Sequence, residues 1–144
     1  MRHILLATDG STGSQRACDV AAELAKAVGG KLSIITVGGN ISLSRHELEQ
    51  LGRAEGNIGD ALDARSDEIL QNAERRTRSA GVSDVQSEVG WGDPAEVIIA
   101  TAQRLGTDTI VMGRRGQGQL AGLLLGSVSK KVACHAPCIV ILVP

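Results

Sequence analysis

The sequence lacks phenylalanine and tyrosine, and Trp91 is its only aromatic residue. In a chain of 144 residues that is 42% hydrophobic, the core must therefore be built mainly from Val, Ile, Leu and Ala. Such aliphatic, β-branched cores are typical of parallel sheets buried on both faces. The chain also lacks a basic cluster and an aromatic stacking platform, and its formal net charge is -1. We therefore expect no nucleic-acid partner.

Long apolar runs are absent as well. None reaches the roughly 18 residues that a membrane span requires. The opening MRHILLATDG lacks the longer apolar core and the cleavage site of a signal peptide. We therefore expect a cytoplasmic protein with no membrane partner, and the length suits one domain over residues 1–144.

Cysteine is scarce, and Cys18, Cys134 and Cys138 cannot all pair with one another. An unpaired cysteine fits a reducing compartment. A metal site at Cys134, His135 and Cys138 is disfavoured, because structural zinc usually takes four clustered ligands. Buried, inert thiols are the preferred interpretation.

Apolar runs and helical spacing alternate along the whole chain. The predicted strands cover residues 3–8, 31–37, 84–89, 109–112 and 138–143. The predicted helices cover residues 14–28, 58–80, 94–105 and 127–135, with a further short helix opened by a capping box at Ser44 and Glu47. Asp93 is the predicted N-cap of the third of these four helices, and Pro94 its first residue. This alternation predicts a doubly wound α/β fold, a parallel sheet of about five strands with helices on both faces.

Two predicted strand ends carry candidate functional residues. Asp9-Gly10-Ser11 follows the first strand, and Gly113-Arg114-Arg115-Gly116 follows the fourth. In open parallel sheets, ligands bind beyond the carboxyl ends of the strands, where the winding direction reverses.

A glycine-rich loop runs from Gly113 to Gly126 and leads into the last predicted helix. Its glycines allow backbone N–H groups to approach an anion, and free N–H groups at a helix start favour phosphate. The alternative is a surface loop in which Ser127 serves only as a helix cap. The loop matches neither a Walker loop nor a dinucleotide fingerprint.

The spacing Gly113-x2-Gly116-x9-Gly126-Ser127 resembles the ATP-binding signature of the universal stress protein family. The segments ILLATDGS, Gly92-Asp93-Pro94-Ala95, TIVMGRRG and His135-Ala136-Pro137-Cys138 also resemble family motifs, so the likeness covers nearly the whole chain. It implies an adenine-nucleotide alpha-hydrolase-like fold with strand order 3-2-1-4-5 and a homodimer formed through the last strand, from Cys138 to Val143. It also implies that ATP or AMP is bound between the first and fourth strand ends.

The resemblance also implies individual roles for residues of this sequence. Asp9 matches an acidic position near the ribose and Mg²⁺, with Ala7 and Thr8 before it, and Val37 matches a backbone position beside adenine. The implied contacts to ribose and phosphates are Met112, Gly113, Arg114, Gly116, Gly126, Ser127, Val128 and Ser129. The sequence departs from many relatives at Thr36, where they have His, and at Ile139, where they have Pro.

Residue chemistry leaves alternatives open at four positions. Asp9 is either a turn former or a ligand of ribose or Mg²⁺. The side chains of Arg114 and Arg115 either clamp phosphate or lie in solvent, and a contact through the backbone of Arg114 is expected first. Trp91 either packs on a neighbouring strand end, which is the expected outcome, or stacks on a base.

No histidine lies near the glycine loop, so fast hydrolysis is not expected. The preferred hypothesis is an ATP-loaded regulatory or stress-response protein, with slow hydrolysis or autophosphorylation on Ser127 or Ser129 at most. The alternatives are a dimeric interaction module that needs no nucleotide and an enzyme acting on AMP or a cyclic nucleotide.

Overall fold

The computed structural model describes residues 1–40, 58–115 and 125–144, together with positions 46 and 49. The strands are β1 His3–Ala7, β2 Lys31–Val37, β3 Val85–Gly90, β4 Thr109–Gly113 and β5 Ile139–Val143. The helices are α1 Thr12–Val28, α2 Ile58–Ser79, α3 Pro94–Leu105 and α4 Ser127–His135, and a short 3-10 turn covers Gly38–Asn40. The short helix expected at Ser44 and Glu47 lies outside the described residues.

The five strands form one parallel sheet in the order β3-β2-β1-β4-β5. Ile4 pairs with Leu32 of β2 on one side and with Thr109 of β4 on the other, which fixes the register of the central strand. The predicted fold class and strand order are therefore confirmed. The chain crosses from one half of the sheet to the other between β3 and β4, so the winding reverses beside β1.

Each face of the sheet carries its own apolar layer, because successive strand residues point to opposite faces. Leu6 and Ile34 pack with α1 and α2 on one face. Leu5, Ile35 and Ile110 pack with α3 and α4 on the other. Aliphatic residues fill both layers, as the composition predicts.

Local signals place the ends of α1 and α3. The Ser11 hydroxyl accepts from Ser14 N at 3.3 Å, so α1 begins at Thr12, two residues before its predicted start. The Asp93 carboxylate accepts from Glu96 N at 3.0 Å, and Pro94 is the first residue of α3, as predicted. Gly29 and Gly106 end α1 and α3 in the left-handed conformation, which costs glycine little.

At the amino ends of the parallel strands, Asp108 joins the start of β4 to the start of β1. Its carboxylate accepts from Arg2 N at 2.6 Å, His3 N at 3.2 Å and the Thr109 hydroxyl at 3.0 Å. Among the described residues, no helix has the length and apolarity needed to cross a membrane.

Candidate functional site

A cleft that is partly open to solvent lies at the carboxyl ends of β1 and β4, where the winding of the sheet reverses. Most of the residues predicted for a ligand site line it: Ala7, Thr8, Asp9, Val37, Met112, Gly113, Gly126, Ser127, Val128 and Ser129. Gly116 lies outside the described residues. The structure thus brings together the ends of β1, β2 and β4 and the start of α4.

The turn after β1 is held by its own side chains. Asp9 Oδ1 accepts from Ser11 N at 2.9 Å, which is the bond of an Asx turn. The Thr8 hydroxyl donates to Ser14 Oγ at 3.1 Å, and Ser14 Oγ donates to Ser11 O at 2.9 Å. Asp9 is therefore a turn former, and it also lines the cleft, where the ribose or Mg²⁺ role stays a prediction.

Two helices begin at the cleft, α1 near Ser11 and α4 at Ser127. Neither has an acidic residue in its first turn, whereas the first turn of α2 contains Asp60 and that of α3 contains Glu96. The N-terminus of a helix carries partial positive charge from its N–H groups and its dipole. The two helices that open on the cleft therefore leave that charge uncompensated by first-turn carboxylates.

Within the described residues, no side chain caps the start of α4. Gly126 occupies the N-cap position, in an extended conformation, and supplies no side-chain acceptor to the first N–H groups of the helix. This corrects the alternative that assigned the cap to Ser127, which is the first helical residue. Uncapped N–H groups at a buried glycine are suited to an external anion.

A network of hydrogen bonds ties α4 to the end of β4. The Ser129 hydroxyl donates to Arg114 O at 2.6 Å and to Gly113 O at 3.2 Å. Gly126 N donates to Arg114 O at 3.0 Å, and Arg114 N donates to Val143 O at 2.7 Å. The hydroxyl proton of Ser129 is thus engaged within the protein, whereas Ser127 is exposed at the cleft.

Arg115, not Arg114, lines the described part of the cleft. The backbone of Arg114 bonds to β5 and α4, and its contact with a nucleotide stays a prediction. The Arg114 Nε atom is buried without a hydrogen-bond partner among the described residues.

A close backbone contact between α1 and β4 was not predicted. A Cβ atom at Gly113 would lie 3.1 Å from the carbonyl carbon of Gly13, and one at Gly13 would lie 3.1 Å from Arg115 O. The two glycines let the start of α1 and the end of β4 meet beside the cleft. Ser11 and Arg115, which belong to the two strand ends identified in the sequence, also line the cleft. Sequence reasoning missed four lining residues that come from several elements: Ser14, Ile35, Pro94 and Ile98.

The other end of the cleft is apolar. Val37, Ile35 and Met112 come from strand ends, and Ile98 and Pro94 come from α3. Outside this end, the six-membered ring of Trp91 lies against Gly38, where an added Cβ would approach within 2.3 Å of Cη2 and Cζ3. The expected packing of Trp91 on a neighbouring strand end is confirmed.

Within the described lining, Asp9 is the one carboxylate. No group of three or more His, Cys, Asp and Glu residues in the described part of the chain is arranged to hold a metal ion. Mg²⁺ in nucleotide sites is commonly held by one or two carboxylates and by the phosphates themselves. One carboxylate beside an uncapped helix start fits a Mg²⁺ that arrives with a nucleotide.

The cysteines correct one expectation. Cys18 is buried, but Cys134 is exposed and Cys138 is half-buried. Cys134 lies two residues after the fully buried Val132 and therefore points away from the core.

Comparison with known proteins identifies the family. The model of the universal stress protein family matches residues 1–144, and the chain belongs to this family. The universal stress protein YxiE of Bacillus subtilis is 33% identical in an alignment of 144 positions, which covers 97% of each chain.

Solved structures show the same fold. A universal stress protein crystallised in complex with cAMP is 30% identical, with a TM-score of 0.72 over 99% of this chain and 95% of that one. UspA from Lactobacillus plantarum is 23% identical, with a TM-score of 0.82 over 99% of this chain and 97% of that one. A universal stress protein from Archaeoglobus fulgidus in complex with dAMP is 22% identical, with a TM-score of 0.70 over 100% of this chain and 98% of that one. Relatives in this family therefore bind adenine nucleotides.

Proposed function

We propose that the cleft binds an adenine nucleotide, ATP in preference to AMP, and that the loaded protein acts in regulation or stress response. The observation that carries this proposal is the start of α4, where Gly126 leaves the first N–H groups uncapped at the wall of the cleft. The neighbouring apolar end, at Val37 and Met112, suits a nucleobase. The cleft thus offers one surface suited to the phosphates of a nucleotide and another suited to its base.

The choice of ATP over AMP rests on the charge of the site. Two helix N-termini without first-turn carboxylates and the nearby Arg115 favour several phosphates over one. Asp9 would bind the ribose or accompany Mg²⁺, which would neutralise part of the phosphate charge. The relative crystallised with cAMP makes a cyclic nucleotide the main competing ligand.

Catalysis of hydrolysis is expected to be slow. No histidine is among the described lining residues, and Asp9 is committed to its turn through one oxygen. If autophosphorylation occurs, the exposed Ser127 is the better acceptor, because the Ser129 hydroxyl is buried and bonded to the end of β4.

Calorimetric titration with ATP and Mg²⁺ tests the proposal. The protein is expected to bind one ATP per chain, with weaker binding of AMP. Gly126→Val should reduce ATP affinity by at least about a hundredfold, because the added side chain would fill the space beside the free N–H groups. Its backbone conformation, with φ -74° and ψ 163°, accepts valine without strain.

Cys134→Val is the matched control, since it adds the same side chain to an exposed position at the other end of α4. It should bind ATP as the unmodified protein does. Absence of binding by folded, nucleotide-free protein would refute the proposal and favour an interaction module that needs no nucleotide. If cAMP or AMP binds more tightly than ATP, the cleft is still a nucleotide site, but its preferred ligand is not ATP.

We also propose that the protein forms a homodimer through β5. Within the described residues this strand is an edge of the sheet, and its sequence IVILV carries no charge or proline that would discourage pairing. Ile139 is 56% exposed, and Val140, Ile141 and Leu142 are half-buried. A second copy would cover this apolar edge.

A further inference from the structure

Trp91 lies just beyond the last paired residues of β2 and β3. Val37 and Gly90 are in register at the end of these strands, so Gly38 and Trp91 occupy the next position. A Cβ at Gly38 would lie 2.3 Å from both Cη2 and Cζ3 of the ring and 2.7 Å from Cε3. No other side chain fits at position 38 while the ring stays in place.

One contact and one backbone conformation fix the chain on either side of Trp91. A Cβ at Gly90 would lie 2.4 Å from Val97 Cγ1, so the end of β3 packs directly on α3. Gly92 adopts a φ of 129°, which directs the chain from Trp91 into the Asp93 cap and Pro94. The indole is therefore attached to a rigid part of the fold, although 53% of its surface is exposed.

The Gly38–Asn40 turn, which the ring contacts at Gly38, has high intrinsic backbone freedom. Gly38 and Gly39 follow Val37 directly, and two consecutive glycines have more backbone freedom than any other pair. Val37 lines the apolar end of the cleft from one side, and Pro94, three residues after Trp91, lines it from another. The ring thus joins the two chain segments that flank this end.

We propose that Trp91 is a positioning residue that sets the base preference of the cleft. It holds Gly38, the first residue of the turn, against the end of β3 and thereby fixes Val37, so that the backbone of this cleft-lining residue presents fixed hydrogen-bonding groups to the edge of a purine. Purines differ in their donors and acceptors, and a held backbone discriminates between them because a mismatch leaves a polar group unpaired. This inference rests on the proposed nucleotide function, and it assigns the base selectivity of that site.

The test compares ATP, GTP and inorganic tripolyphosphate in calorimetric titrations of the protein and of Trp91→Ala. We expect the variant to lose about tenfold in ATP affinity, because the turn must be ordered on binding. The ratio of ATP to GTP affinity should fall to within about threefold of unity, while the affinity for tripolyphosphate stays unchanged. A purely structural role would weaken all three ligands equally and leave the ratio intact.

Two more variants complete the test. Trp91→Phe retains a six-membered ring, the part of the indole that contacts Gly38, and should recover most of the base selectivity. Gly38→Ala should reduce selectivity in the presence of Trp91, yet add little to the effect of Trp91→Ala, because each change breaks the same contact.

The outcomes separate this inference from the proposed function. If the protein binds no nucleotide, the proposed function fails and this inference fails with it. If it binds ATP in preference to GTP, and Trp91→Ala keeps that preference or weakens tripolyphosphate to the same extent, the inference alone is overturned.

Discussion

Cys18 and Cys134 occupy opposite environments in helices of this small protein. Cys18 lies inside the layer between α1 and the sheet, and burial raises the pKa of its thiol to about 11. Cys134 is exposed near the end of α4. The thiolate is the reactive form of cysteine, so exposure and ionisation together determine reactivity.

We therefore expect iodoacetamide at pH 8 to modify Cys134 well before Cys18 in the folded protein. Burial also raises the pKa of the half-buried Cys138, so its rate should be intermediate. Mass spectrometry of peptides over a time course measures the three rates. In urea all three should react alike, and equal rates for Cys18 and Cys134 in the folded protein would contradict the assigned burial.

At the scale of elements, Asp108 holds two strand starts together. Desolvation would raise the pKa of its carboxyl, but hydrogen bonds from Arg2 N, His3 N and the Thr109 hydroxyl outweigh it, and the pKa lies below its ordinary value. A carboxyl whose pKa is lowered in the folded state stabilises the fold at pH values above its unfolded-state pKa, which is about 3.9 for Asp. That stabilisation is lost as the pH falls through the folded-state value.

Asp108→Asn should lower the free energy of unfolding at pH 7 by at most about 1 kcal/mol, because water screens a partly exposed carboxylate. The side chain of Asp108 is 40% exposed. The difference between the variant and the parent should begin to shrink as the pH falls below about 4, where the carboxyl of the unfolded parent is protonated, and should continue to shrink until the folded carboxyl is protonated as well. Urea titrations at several pH values measure it, with Asp67→Asn at an exposed position of α2 as control. A difference that is constant down to pH 3 would contradict the role of the charge.

Short-range signals explain which elements could be predicted. The start of α3 is encoded locally, by Asp93 and Pro94, and the structure has the predicted N-cap and the predicted first helical residue at these positions. The start of α1 was placed too late because the capping role of Ser11 was missed, and Ser14, read as the first helical residue, is bonded back to Ser11. Cys134 was assigned to the interior although helical spacing from Val132 points it outward.

The candidate site was only partly accessible to sequence reasoning. Strand ends and glycines are visible in the sequence, and they identified most of the described lining. The contact between Gly13 and Gly113 joins residues one hundred positions apart, so no local pattern encodes it. Pro94 and Ile98 were missed for the same reason, since the packing of α3 on the sheet brings them to the cleft.

The edge strand β5 lies between the proposed dimer interface and the cleft. Val143 O accepts from Arg114 N, and Arg114 O accepts from Gly126 N at the start of α4. The edge strand is therefore bonded, through a single residue, to the wall of the cleft.

Ile139→Lys should convert the proposed dimer to a monomer, because it places a charge on the exposed edge. Light scattering coupled to size-exclusion chromatography measures the mass. Val28→Lys changes an apolar residue of similar exposure, 46%, at the end of α1 and should leave the mass unchanged. A monomeric parent protein at micromolar concentration would refute the proposed dimer.

The end of the cleft that is proposed to bind anions includes Gly113, Gly126 and the main-chain N–H groups at the start of α4. Every residue except proline carries the same main-chain N–H group, so substitutions that shorten a side chain leave these hydrogen-bond donors in place. Damage comes instead from added atoms, as at Gly113, where a single methyl group would meet the backbone of Gly13. Genetic drift at such a site is therefore asymmetric: many single substitutions can abolish it, and only a return to glycine at the same position can restore it.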